Sequence, residues 1–138
     1  MLALSSIHHV ALPVTDLARA KRFYAEVIGL RELPRPAFDF PGAWFAVGES
    51  AQQLHLIMHD RPTLRTGKPV DTRDIHFALR VPSYRAAIAH LRALGYTPDA
   101  ADETFRTREH PHATAGFPQI FLLDPDRNVV EINAEKLE

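Results

Sequence analysis

His9-Val-Ala-Leu-Pro-Val14 and His76-Phe-Ala-Leu-Arg-Val81 share the pattern His-x-Ala-Leu-x-Val. Both copies lead into a polar residue of the type that caps helices, Thr15 or Asp16 in the first and Ser83 in the second. Such side chains accept a bond from a free first-turn N–H. Helical patterns follow, over Asp16–Ile28 and Ser83–Leu94. In the first, Leu17, Ala20, Phe23, Tyr24, Val27 and Ile28 recur at three and four, and in the second Ile88, Leu91 and Leu94 do the same; each pattern gives a helix one buried face. Gly29 follows His9 by 20 residues and Gly95 follows His76 by 19, and both suit the left-handed position past a helix end. Four features in the same order make an internal repeat, and the repeat decides the fold.

After each helix the sequence predicts three short strands. In the first half they are Leu30–Leu33, Ala43–Val47 and Gln53–Met58; in the second, Tyr96–Thr97, Gln119–Leu123 and Val129–Asn133. Asp124-Pro-Asp-Arg-Asn128 has turn composition, and 100–116 reads as a long loop or an irregular strand connection. The expectation is an α+β chain of two βαβββ modules, about 5–60 and 73–136, joined by a linker at 61–72 within one domain spanning 1–138. A module of that size buries little apolar surface alone, so the two are expected to pair.

The 46% hydrophobic and 24% charged content fits a globular domain. A net charge of −1 with scattered basic residues argues against nucleic acid or a polybasic membrane contact. No apolar run reaches the roughly 20 residues of a membrane span, and Met1–Ser6 is too short for a signal peptide. The absence of cysteine excludes disulfides and thiolate metal sites and suggests a reducing cytoplasm. A metal would have to be held by His, Asp or Glu.

Alternation along a strand puts His9, Ala11 and Pro13 on one face, with His8, Val10, Leu12 and Val14 on the other. His76, Ala78 and Arg80 repeat the His9 face. His55 shares a face with Gln53, Ile57 and His59, and Glu131 alternates with Val130 and Ile132. Each of His9, His55, His76 and Glu131 stands in the first or last strand of its module. Twofold-related modules would bring those strands face to face across a cleft, with nitrogen and oxygen ligands for Zn²⁺, Ni²⁺, Fe²⁺, Mn²⁺ or Co²⁺. Taken singly, each has a plain structural use, as a core or edge-strand polar residue.

The chain resembles the vicinal oxygen chelate superfamily, which contains glyoxalase I, extradiol dioxygenases and bleomycin-binding proteins. The resemblance rests on His8-His9-Val-Ala-Leu-Pro-Val-Thr-Asp-Leu17, Phe23-Tyr24 before Gly29-Leu30, and Asp124-Pro-Asp126 before Val130-Glu131. It implies a glyoxalase-like fold, with a U-shaped and mostly antiparallel sheet around a cleft, and one divalent ion held by His9, His55, His76 and Glu131. It also implies a homodimer and a small-molecule substrate chelated through two neighbouring oxygens. Glu131 would be both ligand and catalytic base. Proteins of this kind that use glutathione carry arginine at Pro13 and asparagine at His59, so glutathione is not expected. His55 replaces the Glu or Gln found in several relatives, and Arg127 stands where glycine is usual.

For the substrate, candidates are His59, on the His55 face, and Arg106 and Arg108 of the loop Phe105–His112, read as an anion-binding lid or an exposed polar loop. Phe38, Phe40, Trp44 and Phe45 are read as a pocket wall or as core. The expected function is a metal-dependent lyase, isomerase or dioxygenase of the glyoxalase type. The alternative is a metal-free small-molecule binding protein of the bleomycin-resistance kind.

Overall fold

Each half of the chain begins with a strand whose inner face must be covered, and a capped helix supplies the cover. The computed structural model describes residues 1–61 and 65–138. They form two compact units, Met1–Pro62 and Thr63–Glu138. The first contains β1 (His9–Val14), α1 (Leu17–Arg22) continued by a π-helical turn (Phe23–Val27), β2 (Arg31–Leu33), β3 (Gly42–Ala46) and β4 (Gln53–Met58). The second contains β5 (His76–Ser83), α2 (Tyr84–Ala93), a 3₁₀ turn (Glu103–Phe105), β6 (Arg108–His110), β7 (Gln119–Leu123) and β8 (Val129–Lys136). Among the described residues, no helix is long and apolar enough to cross a membrane.

The sheets run β1-β4-β3-β2 and β5-β8-β7-β6. In both, the helix carries the chain to the far edge and a meander brings it back. The last strand therefore pairs parallel with the first, and the other pairings are antiparallel.

Local chemistry explains the helices. Asp16 Oδ1 accepts from Arg19 N–H at 2.9 Å, and Ser83 Oγ accepts from Ala86 N–H at 3.1 Å; such caps are worth about 1 kcal/mol each. Gly29 and Gly95 take φ of 82° and 88°, in the left-handed region. The Ile28 N–H reaches back to Phe23 O at 3.1 Å, a widened turn in which neighbouring Phe23 and Tyr24 are both buried. One face of the first sheet is core, with Ala43, Phe45, Leu54 and Leu56 at or below 1% exposure. In the second sheet Ile120, Leu122, Val130 and Ile132 take that place and are buried with Tyr84 and Leu91 of α2. The opposite faces hold His9, His55, His76 and Glu131.

Two expectations change. Tyr96–Thr97 is not a strand: Thr97 makes only an isolated bridge to Arg106. The edge strand is Arg108–His110, inside the expected loop, where Glu109 accepts from Arg92 at 2.7 and 2.8 Å and from Thr107 Oγ1 at 2.6 Å. Of the expected linker, 62–64 lie outside the described residues. The rest is not a free spacer. Arg65, buried, pairs with Asp74 and donates to the carbonyls of Pro69 and Arg127, and Val70 joins Phe121, Leu123 and Val129 in a buried cluster.

Candidate metal centre

In the first unit, alternation carries His9 and His55 to the face opposite α1. The rings stack at 4.1 Å and 14°. His55 is buried, and its other flank stacks on Trp44 at 4.4 Å and 10°. Burial, then the neighbouring His9, His8 and Arg35 charges, lower the His55 pKa, so the ring is held neutral with a nitrogen lone pair. Its Nε2 lies 2.8 Å from Gln53 Oε1, and Nδ1 atoms of His8 and His9 lie 2.9 Å apart. Parallel rings do not converge their in-plane lone pairs on one point.

In the second unit His76 Nδ1 lies 2.7 Å from Asp74 O. A carbonyl only accepts, so this nitrogen carries the proton of a neutral ring, and the lone pair falls on Nε2. That atom lies 3.1 Å from Glu131 Oε2. Two acceptors at this distance need something positive between them, a proton held by the ring or by the carboxyl, or a metal ion. The other carboxylate oxygen, Oε1, accepts from Gln119 Nε2 at 2.9 Å and Asn133 Nδ2 at 3.2 Å, which fixes the 5% exposed Glu131 side chain. Asn133 Oδ1 is buried with no partner among the described residues.

The chemistry fits a metal. Two ligand atoms at about 2.1 Å from one ion are about 3 Å apart at the right angle of an octahedral site and about 3.4 Å apart at the tetrahedral angle. The 3.1 Å between Nε2 and Oε2 lies within that range. An imidazole whose second nitrogen donates to a backbone carbonyl is also the usual outer support of a metal-bound histidine. Among the described residues, no three His, Asp or Glu side chains gather at one point; each unit supplies a pair.

The pairs are equivalent in register. His55 lies opposite Ala11, two residues after His9, and beside Trp44. Glu131 lies opposite Ala78, two residues after His76, and beside Phe121. The repeat thus matches His55 with Glu131, as it matches His9 with His76.

A cavity of about 440 Å³ opens over His76 and Glu131, lined also by Gln119, Phe121, Thr72, His110, His112 and the segment 113–115. The loop that carries the expected arginines therefore presents histidines here. Arg106 and Arg108 line a smaller cavity of about 160 Å³ with Pro69, Val70, Pro98, Glu103 and Thr107, and Arg106 Nε donates to Ala100 O at 2.7 Å. His59 follows β4, roughly 13 Å along the chain from His55. It is exposed, and its Nδ1 accepts from Arg61 N–H at 3.0 Å. Phe38, Phe40 and Trp44 cluster together, whereas Phe45 is core, beside Tyr24. His110 could have been found by alternation from Arg108, once 108–110 was known as a strand.

Residues 6–132 match the family model of the Glyoxalase/Bleomycin resistance protein/Dioxygenase superfamily. The chain belongs to that superfamily. Its glyoxalase-like α+β architecture is shared with a Bacillus anthracis protein described as of the glyoxalase family, at TM-score 0.76 and 21% identity, with 99% of each chain covered. A variant of the fosfomycin resistance protein FosX of Listeria monocytogenes, complexed with Mn(II) and 1S,2S-dihydroxypropylphosphonic acid, aligns at TM-score 0.67 and 17% identity, covering 99% of this chain and 95% of that one. The uncharacterized protein YaeR of Escherichia coli (strain K12) is 30% identical over 136 residues, 96% of this chain and 98% of its own.

Proposed function

We propose that this superfamily member is a divalent-metal-dependent enzyme, a lyase, isomerase or dioxygenase, acting on a small molecule with two neighbouring oxygens. His9, His55, His76 and Glu131 are its metal ligands, one pair from each repeat. The observation that carries the reading is the His76–Glu131 contact, Nε2 and Oε2 at 3.1 Å with Nδ1 already turned to a backbone carbonyl, an arrangement that a metal ion can occupy in place of a proton. The register equivalence of His55 and Glu131 supports the same role for the other pair, whose stacked rings would have to turn to bring their lone pairs to one ion. Mn(II) and a dihydroxy ligand in the FosX variant accord with it.

When bound, the ion supplies Lewis-acid polarisation of the substrate oxygens. The chain does the rest. Asp74 O keeps the His76 ring oriented, and Gln119 and Asn133 hold Oε1, so Glu131 Oε2 is the oxygen that can take a proton from substrate. Phe121 and the 113–115 segment line one side of the cavity, while His110 and His112 offer polar contacts to substrate. We place the protein in the cytoplasm as a homodimer, the first from its lack of cysteine and the second by the habit of the family.

Metal analysis tests the reading. Protein purified without chelator carries near-stoichiometric Zn²⁺, Ni²⁺, Fe²⁺, Mn²⁺ or Co²⁺, and His76→Ala loses it. Failure of wild-type protein to bind any of these in excess would overturn the enzyme reading in favour of a metal-free binding protein. Dependence of turnover on O₂ then separates a dioxygenase from a lyase or isomerase.

A further inference from the structure

The His9–His55 stack does not end at Trp44. Trp44 meets Phe38 at 5.9 Å, and Phe38 lies under the Arg35 guanidinium at 4.4 Å. Phe40 adds a second ring 5.0 Å from the same carbon, and Arg35 donates to Phe40 O at 3.0 Å. Ring contacts therefore run unbroken from the ligand pair to a fixed cation. Room for that cation comes from β3. A Cβ at Gly42 would sit 3.2 Å from both Arg35 Cζ and Nε. Gly42 pairs with Ile57 as Trp44 pairs with His55, so the guanidinium lies on the His55 face, roughly 7 Å further along the strands.

Arg35 has no carboxylate partner among the described residues, and its hydrogen bond to Phe40 leaves other N–H groups of the fork unused. Phe38 and Phe40 are 46% and 38% exposed. A guanidinium locked by aromatic stacking beside exposed rings is suited to a bidentate oxyanion, and the rings are suited to the flat or apolar body behind that oxyanion.

We propose that Arg35 is a specificity residue that binds a carboxylate or phosphonate group of the substrate, with Phe38 and Trp44 as the wall between this anion and the vicinal oxygens. The proposal rests on the metal-enzyme reading for where those oxygens sit, but Arg35 itself can be tested without metal. Trp44, the chain's one tryptophan, gives an indole N–H resonance that reports binding by NMR. In chelator-treated protein, benzoate or phenylphosphonate perturbs Trp44 at concentrations roughly 10- to 100-fold below neutral benzamide, and the tighter of the two names the oxyanion. In Zn²⁺-loaded protein, 3,4-dihydroxybenzoate shows the same advantage over 3,4-dihydroxybenzamide.

Arg35→Gln removes both advantages, leaves amide binding and Zn²⁺ affinity within twofold of wild type, and Arg35→Lys restores part of the preference. Arg85→Gln, at an exposed residue paired with Glu138, changes nothing. Equal weakening of anion and amide in Arg35→Gln would reduce Arg35 to a loop anchor and overturn the proposal, as would no preference in wild type. Loss of Zn²⁺ binding in wild type with the benzoate preference intact would sink the metal reading and leave the anion site standing.

Discussion

Glu131→Gln should move the stability of the metal-free and metal-loaded protein in opposite directions. Without metal and with a neutral imidazole, His76 Nε2 and Glu131 Oε2 are facing acceptors 3.1 Å apart on a carboxylate 5% exposed. A glutamine keeps an oxygen for Gln119 and Asn133 and turns its amide N–H₂ toward His76 Nε2. An opposed pair becomes a hydrogen bond, worth about 1–2 kcal/mol. For a chain of this length that raises Tm by about 3–8 °C. With metal at a hundred times Kd, wild-type protein gains about 2.7 kcal/mol, or about 10 °C. If the variant binds about a hundredfold more weakly, the same metal concentration only matches its Kd, and the gain shrinks to about 0.4 kcal/mol. Thermal unfolding with chelator and with added Zn²⁺ measures all four values. A lower metal-free Tm in the variant, or an equal metal-induced shift in both proteins, would refute the acceptor–acceptor argument.

Gly42→Ala should cost about 1–3 kcal/mol, because its Cβ meets Leu56 O at 2.4 Å; denaturant unfolding within 0.5 kcal/mol of wild type would contradict this. Asp74→Asn takes the carboxylate from buried Arg65 and should destabilise by about 1–3 kcal/mol, the partial exposure of Asp74 discounting the figure for a fully buried pair. The same change disturbs the carbonyl that orients His76, so metal affinity should fall about 10-fold, as calorimetric titration can check. The lowered His55 pKa means the unfolded chain takes up a proton at this residue first. Metal-free stability from this group is thus complete above the unfolded value of about 6.5. It is lost as pH falls through the folded one. Denaturant midpoints between pH 5 and 7 should decline less in His55→Asn than in wild type, and parallel curves would count against it.

The repeat made most of the fold legible. His-x-Ala-Leu-x-Val, the caps and the two glycines are local signals, and the structure keeps each in place. Alternation put His8 on the face opposite His9, and here it failed: His8 precedes β1, outside the strand's period, and its ring lies 5.2 Å from that of His9 and 6.5 Å from that of His55. The second module's edge strand was hidden because Arg108-Glu109-His110 carries no apolar residue; its strand character comes from pairing with β7 and from Arg92, a helix residue far off in sequence. Tyr96–Thr97 has the composition of a strand but only an isolated bridge. The equivalence of His55 and Glu131 was invisible for a similar reason: it is a register relation, and their local sequences, Leu54-His55-Leu56 and Val130-Glu131-Ile132, also suit ordinary half-buried strands. Arg35 offered no motif, since its setting depends on what Gly42 lacks.

If His55 and Glu131 hold the ion as proposed, that register relation also separates the tuning of the donors from the architecture. One position per module, opposite an alanine and flanked by aliphatic residues that face the helix, is imidazole in the first module and carboxylate in the second. Exchanging one for the other touches neither core nor cap, so a duplicated scaffold can drift between harder and softer donor sets by single substitutions. His55→Glu would give two identical His/Glu pairs, a return to the symmetry from which a doubled module starts, with preference moved toward oxygen-loving ions such as Mn²⁺.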